Sequence, residues 1–219
     1  MKTRDKGLLQ AIVAIVIIAG WRYVPPAVGQ MFKLPFPMKL SMLLWLIFSI
    51  YWSIAAKKSA ATSSAESTGS RQLHVILVNG ALLLLVLTIP GLTYRFLPAS
   101  NVLIAAGLSI QAAFILLAVW ARVNLGRNWS GEVRIAKEHE LVRTGPYRFV
   151  RHPIYTAILG MYCGTMLVSG EIHAPIALVI VTLAYWRKIR LEERALAETF
   201  GTDFDLYRRE TPALIPGVY

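Results

Sequence analysis

One cysteine, Cys163, stands in 219 residues, so the chain has no intramolecular disulfide and no cysteine-based zinc site. Acid is scarce as well: 12 Asp and Glu face 23 Lys and Arg, a formal charge of +11. The basic residues are split over several short stretches, which argues against a nucleic-acid footprint and for an anionic membrane surface. Polar residues are few within or near the long apolar runs, where His74, Asn79 and Gln111 stand out. They are uncharged or terminal and read as packing or interface residues, thin material for an ion channel or a proton-coupled transporter.

What the chain has in excess is hydrophobic sequence, 56% of it, arranged in blocks. Runs 8–20, 40–56, 73–92, 102–121, 154–168 and 172–186 are each about as long as a bilayer core or a little shorter. A spanning helix needs roughly 20 residues. The first four runs are expected to be transmembrane helices. The last two, separated by Ser169-Gly170, are expected to form a tilted or partly re-entrant helical hairpin. The expected fold class is therefore an all-α integral membrane protein with about five to six transmembrane helices.

The charges support this layout. With a cytoplasmic N-terminus, the inside pieces are 1–7, 57–71, 122–152 and 187–219, and they hold 19 of the 23 Lys and Arg. Only Arg22, Lys33, Lys39 and Arg95 fall outside, the asymmetry of the positive-inside rule. Both termini are thus expected to be cytoplasmic. Lys2, Arg4 and Lys6 before an apolar run resemble a secretory signal, with Ala27-Val28-Gly29 as a small-residue site. Arg22, Pro25 and Pro26 interrupt the approach to cleavage, so an uncleaved first helix is expected.

Two divisions follow: 1–121, N-terminal membrane helices with a small-polar linker (57–71, including SAATSSAESTGS, 59–70), and 122–219, holding the membrane hairpin 154–186 and C-terminal helices. Pro25, Pro26, Pro35 and Pro37 mark the first outside loop, and Pro90-Gly91 is expected to end the third helix. WRKIRLEERALAETF should continue the final membrane segment as a helix closed by Gly201, with a short helix from near Asp203 stopping before Pro212.

The chemistry concentrates in the inside stretches 124–155 and 186–216. In LVRTGPYRFVRHPIY (141–155), Pro153 biases His152 out of helical geometry and can open the next helix. His152 then sits at a helix N-terminus, where free N–H groups favour a carboxylate. Gly145-Pro146 suggests a tight turn that lets backbone approach something flat. Glu192-Glu193 offers acceptors for ribose hydroxyls or an ammonium group. Together these describe a cytoplasmic pocket for a zwitterionic, nucleoside-like molecule. Singly, each residue has a plainer reading: Arg143, Arg148 and Arg151 as topology determinants, Tyr147, Tyr155 and Tyr207 as an aromatic belt, the Glu pair as a solvated helix face. The ordered combination is what carries the inference.

That combination resembles the isoprenylcysteine carboxyl methyltransferase family, within the wider group that includes phospholipid methyltransferases. The matching residues are His139-Glu140-Leu141-Val142, then Thr144-Gly145-Pro146-Tyr147, then Arg151-His152-Pro153-Ile154-Tyr155, followed beyond the hairpin by Glu192-Glu193, Phe200-Gly201, Tyr207 and Pro212. Leu125-Gly126-Arg127-Asn128-Trp129 looks like the bacterial branch, which points to a bacterial inner membrane. The resemblance spans roughly 120–216.

The resemblance implies S-adenosyl-L-methionine as cofactor and S-adenosyl-L-homocysteine as product. It implies a cofactor site lined by His139, Glu140, Leu141, Val142, Gly145, Tyr147, His152, Pro153, Ile154, Tyr155 and Glu192, with His152 toward the methionine carboxylate, Leu141 and Val142 toward adenine, and Glu192 toward a ribose hydroxyl or the amino group. No GxGxxG loop occurs, which agrees with a membrane-type pocket. The implied reaction is carboxyl O-methylation of a lipophilic substrate arriving from the bilayer, without nucleic acid or metal. Family members place an arginine one turn before the Glu pair to hold the substrate; here Lys188 stands there, with Arg187 and Arg190 as neighbours, so Lys188 and Arg190 are both candidates. N-methylation of a lipid amine is the alternative chemistry, with Glu193 or His139 as proton acceptor. A non-enzymatic sensor or transporter on the same fold is the alternative outside catalysis. Ala213 stands where bacterial relatives often carry a basic residue, and the sequence offers no functional account of it.

Overall fold

The computed structural model describes residues 33–56, 67–87, 89–126 and 141–218. Among these are six α-helices, one 3-10 turn and no strand: α1 Phe36–Ala56, α2 Thr68–Leu84, α3 Asn101–Leu125, the 3-10 turn Gly145–Arg148, α4 Pro153–Ser169, α5 His173–Phe200 and α6 Thr202–Glu210. The expected first helix at 8–20 lies outside the described residues.

α1 begins four residues before its apolar run, with Lys39 N–H bonded to Pro35 C=O at 3.1 Å. Pro37 sits in the first turn, where no N–H is required, so the proline-rich stretch expected as loop runs into the helix. α2 departs further from expectation. It starts at Thr68, because the Ser67 hydroxyl caps Ser70 N–H, and so takes in the end of the expected linker. It stops at Leu84, six residues before Pro90, in a tight final turn where Leu85 and Val86 N–H bond to Leu82 and Leu83 C=O. Among the described helices, α1 and α3 are long and apolar enough to cross a membrane; α4 is apolar but has 17 residues. Large apolar side chains on both of these helices are exposed, including Leu46, Ile50 and Ile54 on α1 and Leu116 and Val123 on α3, a surface suited to lipid.

Glycines let α3 and α4 approach closely. A Cβ on Gly164 of α4 would lie 2.6 Å from Gly107 C=O of α3, and one on Gly107 would lie 2.6 Å from Gly164 C=O. Backbone thus meets backbone, the packing that small residues permit between apolar helices. Beside it runs a fully buried polar network across α1, α3 and α4. Ser41 Oγ donates to Gln111 Oε1 at 2.7 Å, Gln111 Nε2 donates to Ser41 C=O at 3.0 Å, and Trp45 Nε1 donates to Thr165 Oγ1 at 3.0 Å. Gln111 is therefore a packing residue, as its sequence context suggested.

α4 and α5 form the expected hairpin, turned by Gly170 at φ +64°, with Pro175 in the first turn of α5. α5 runs unbroken for 28 residues, about 42 Å at 1.5 Å per residue and longer than a hydrocarbon core of about 30 Å. Gly201, at φ +50°, ends it and α6 follows, both as the sequence indicated. The C-terminal end of α3, the start of α4 and the later half of α5 come together at one end of the bundle.

Candidate active site

The loop into α4 is fixed before any ligand is considered. Asn124, on the last turn of α3, donates from Nδ2 to Thr144 C=O at 3.0 Å. Gly145 has φ +59°, which favours glycine, and a Cβ there would lie 2.5 Å from Asn124 Oδ1 and push that amide aside. The Asn124 amide of the chain itself thus lies against Gly145, on the side a Cβ would occupy. The following 3-10 turn buries Pro146 and Tyr147. Burial raises the Tyr147 phenol well above its ordinary pKa; the charges of Glu192 and Tyr207 add to the rise and Arg122 opposes it.

A C-terminal strap then covers the start of α4. Arg151 N–H bonds to Pro212 C=O at 2.9 Å and His152 N–H to Ala213 C=O at 3.0 Å. Thr156 Oγ1 donates to Leu214 C=O at 2.7 Å, and Tyr207 Oη to Tyr147 C=O at 2.6 Å. His152 has φ −123° and ψ 60°, outside helical geometry, and Pro153 opens α4, both as expected. The N–H groups of Arg151 and His152, immediately before α4, are thus used by the strap. Ala213 contributes through its backbone, which gives that position a role no side chain would reveal.

Side chains converge above the strap. Arg151 Nη2 reaches Glu193 Oε1 at 2.8 Å and its Nε reaches the same oxygen at 2.9 Å, while Nη1 donates to Arg208 C=O at 3.0 Å and to Thr211 C=O. His152 lies between the two glutamates, Nε2 at 3.2 Å from Glu193 Oε1 and Nδ1 at 3.6 Å from Glu192 Oε2. Tyr155 Oη donates to Glu192 Oε1. Burial alone would raise the Glu193 carboxyl, but hydrogen bonds and charge from His152 and Arg151 outweigh it and hold the pKa below the ordinary carboxylate value. The His152 and Tyr155 rings stack at 5.5 Å and 7°, Tyr155 tilts against Tyr185 at 4.6 Å, and Tyr185 meets His74 of α2 edge-on at 5.1 Å. A row of four rings leads from the glutamates to α2.

The sequence-derived residues are thus distributed unevenly. His152, Pro153, Ile154, Tyr155, Glu192 and Glu193 come together, with Tyr147 buried beside them. Leu141 and Val142 lie half-buried on the chain leading to the turn, Val142 packed against the core. His139 and Glu140 lie outside the described residues, as do Arg127, Asn128 and Trp129. The cations before the Glu pair separate clearly. Arg187 bonds to Ser70 C=O at 3.3 Å and to Ser70 Oγ, tying α5 to α2. Arg190 is exposed and lies 3.9 Å over the Trp186 ring. Lys188 and Tyr185, four and seven residues before Glu192, share its helix face; Arg190, two before, does not.

Arg151 stands in the matching motif but not among the site residues expected from the sequence, and neither do Tyr185, Asn124 and the strap. Tyr185 had a legible signal in its seven-residue spacing from Glu192. The strap had none, because it acts through carbonyls.

Residues 105–198 match the model of the isoprenylcysteine carboxyl methyltransferase (ICMT) family. The protein-S-isoprenylcysteine O-methyltransferase of Schizosaccharomyces pombe is 31% identical over 102 residues, 44% of this chain and 42% of that one. That of Saccharomyces cerevisiae is 34% identical over 97 residues, 42% of this chain and 39% of that one. The nickel-cobalt-cadmium resistance protein NccN of Alcaligenes xylosoxydans xylosoxydans is 39% identical over 97 residues, 42% of this chain and 44% of that one. The chain thus covers less than half the length of these relatives. With two helices able to span a bilayer, the matches point to an integral membrane protein. The resemblance read from RHPIY and the Glu pair is therefore shown for one stretch, 105–198, which matches the isoprenylcysteine carboxyl methyltransferase family from within α3 through most of α5.

Proposed function

We propose that the chain is a membrane-embedded methyltransferase that uses S-adenosyl-L-methionine to methylate the carboxylate of a lipophilic, isoprenylcysteine-like acid. The observation that carries this reading is the convergence of His152, Tyr155 and Glu192 inside the stretch that matches the family. The donor set fits the cofactor. Glu192, oriented by Tyr155, offers an acidic edge for a ribose hydroxyl or an ammonium group, and the stacked rings offer π faces to a cation. In this reading His152 is taken up by the glutamates, with Nε2 bonded to Glu193 and Nδ1 3.6 Å from Glu192, rather than presenting a free donor to the methionine carboxylate.

When bound, the cofactor supplies an electrophilic methyl group. The substrate carboxylate is already anionic at neutral pH, so the chain need supply no general base. Its task is alignment and exclusion of water. Lys188, one turn before Glu192 on the same face, is favoured over Arg190 for holding that carboxylate, since Arg190 is turned toward Trp186. A lysine grips one oxygen as a point charge and leaves the other to attack. Glu193, fixed by Arg151 and His152 and stabilised as a carboxylate, is a weak proton acceptor, which favours O-methylation over N-methylation of a lipid amine. In this reading Glu193 anchors the site. Cytoplasmic access for the cofactor and lateral entry of the substrate belong to the same proposal, as does division of the chain near residue 121.

Isothermal calorimetry with S-adenosyl-L-homocysteine on purified protein tests the cofactor assignment, and absence of binding at high micromolar ligand would sink it. Methyl transfer to a prenylcysteine analogue, compared with transfer to a lipid amine, tests the acceptor.

A further inference from the structure

At the end of the bundle opposite the glutamates lies a cavity of about 430 Å³. Its walls come from the start of α1, the end of α2, the loop before α3 and the α4–α5 turn. The length of α4, 17 residues or about 25 Å, separates it from His152, so it takes no part in the methyl-transfer chemistry proposed above.

Four charged or titratable side chains line this cavity: Lys33, Arg95, Glu171 and His173. Glu171 is engaged internally, with Oε2 3.0 Å from His173 Nε2. Arg95 donates from Nη1 to Ser169 C=O at 2.6 Å, which holds its guanidinium over the Gly170 turn. The loop itself is pinned there, as Phe96 N–H bonds to Gly170 C=O at 2.9 Å and Ile172 N–H to Tyr94 C=O at 3.0 Å. Two cations, Lys33 and Arg95, thus stand against one carboxylate that already has a partner. His173 is 4% exposed, and among the described residues its Nδ1 has no hydrogen-bond partner. The remaining wall is apolar, with Met38, Leu85, Val86 and Val168 below the charges.

A cationic rim over an apolar floor, at the end of helices with lipid-facing surfaces, selects an amphiphile with an anionic head. We propose that this cavity binds the phosphate headgroup of an anionic membrane phospholipid between Lys33 and Arg95, with the first part of an acyl chain against Met38, Val86 and Val168. The volume admits a headgroup and the start of a chain, while the rest of the lipid lies along the outer faces of the helices. The bound lipid would bridge the start of α1 to the loop before α3 and the hairpin turn, which hydrogen bonds already hold together.

Native mass spectrometry of the delipidated full chain, titrated with phosphatidylglycerol, tests this without reference to catalysis. One phosphatidylglycerol per chain is expected to be retained. Lys33→Glu should weaken retention at least about tenfold, while Lys33→Arg preserves it. Lys39→Glu, a charge reversal on exposed α1 surface outside the cavity, should leave it unchanged. Three results overturn the proposal: equal loss from Lys39→Glu, which would mean general electrostatic attraction; equal retention of uncharged diacylglycerol, which would remove the headgroup's role; or competition by millimolar inorganic phosphate as effective as by the lipid, which would make the site one for the free anion.

Discussion

Arg151 and Glu193 meet at 2.8 Å with side chains only 10% and 16% exposed, and the same guanidinium holds the carbonyls of Arg208 and Thr211. One ion pair therefore joins the entrance of α4, the later half of α5 and the C-terminal strap. Arg151→Ala leaves Glu193 partly buried without its main cation. The expected cost is about 3 kcal/mol, read as a lowered midpoint of thermal unfolding in detergent. The double variant Arg151→Ala/Glu193→Ala should lose less than the two single losses added together.

The lowered pKa of Glu193 gives this pair a pH signature. A depressed carboxyl contributes stability that is present above its unfolded value of about 4.5 and is lost as pH falls through the folded value. Unfolding midpoints measured from pH 6 down to pH 3 should fall steeply at the acid end. Glu193→Gln should flatten that limb while lowering stability near neutrality; an unchanged acid limb would assign the sensitivity to other groups.

Glu192 and Tyr155 divide the proposed cofactor contact. Glu192→Gln should weaken S-adenosyl-L-homocysteine binding by about ten- to a hundredfold, since a charged hydrogen bond is worth about 1.5–3 kcal/mol. Tyr155→Phe removes only the hydroxyl that orients Glu192 and should cost about tenfold or less. Calorimetry reads both, and a Glu192→Gln variant that binds normally would displace Glu192 from the cofactor site.

Lys188 and Arg190 should separate in steady-state kinetics. Lys188→Ala is expected to lower kcat/KM for the acid acceptor by about a hundredfold with cofactor affinity unchanged. Arg190→Ala, on the far side of α5 against Trp186, should change either value by less than about threefold. The reverse pattern would make Arg190 the substrate-holding residue.

Gly164→Ala adds a Cβ 2.6 Å from the carbonyl of Gly107, and backbone cannot rotate out of the way as a side chain can. α3 and α4 must separate, at an expected cost of about 1–3 kcal/mol in thermal unfolding. Gly80→Ala on α2, where an added Cβ meets nothing within 4 Å, is the matched control and should be neutral or slightly stabilising.

Much of the architecture was legible because apolar runs and turn residues act locally. Pro153, Gly170 and Gly201 fixed the ends of α4 and α5 through dihedral preference alone. α2 was misplaced because hydropathy counts side chains, whereas the Ser67 cap and the tight turn after Leu84 are backbone events. At the site, RHPIY and the Glu pair were visible as residue types in order, and they pointed to the family that residues 105–198 match.

Tertiary structure decided the partners. Order along the chain placed His152 at a helix N-terminus, but only folding brought Glu192 and Glu193 to either side of its ring. It placed Lys188, Arg187 and Arg190 within four residues; helical rotation then sent one toward Ser70, one over Trp186, and left Lys188 on the face of Glu192. The strap that occupies the amides of Arg151 and His152 is invisible in sequence, because a carbonyl belongs to every residue. Local chemistry was therefore written in residue types, and its assignment to partners was settled by distances that exist only once the helices pack.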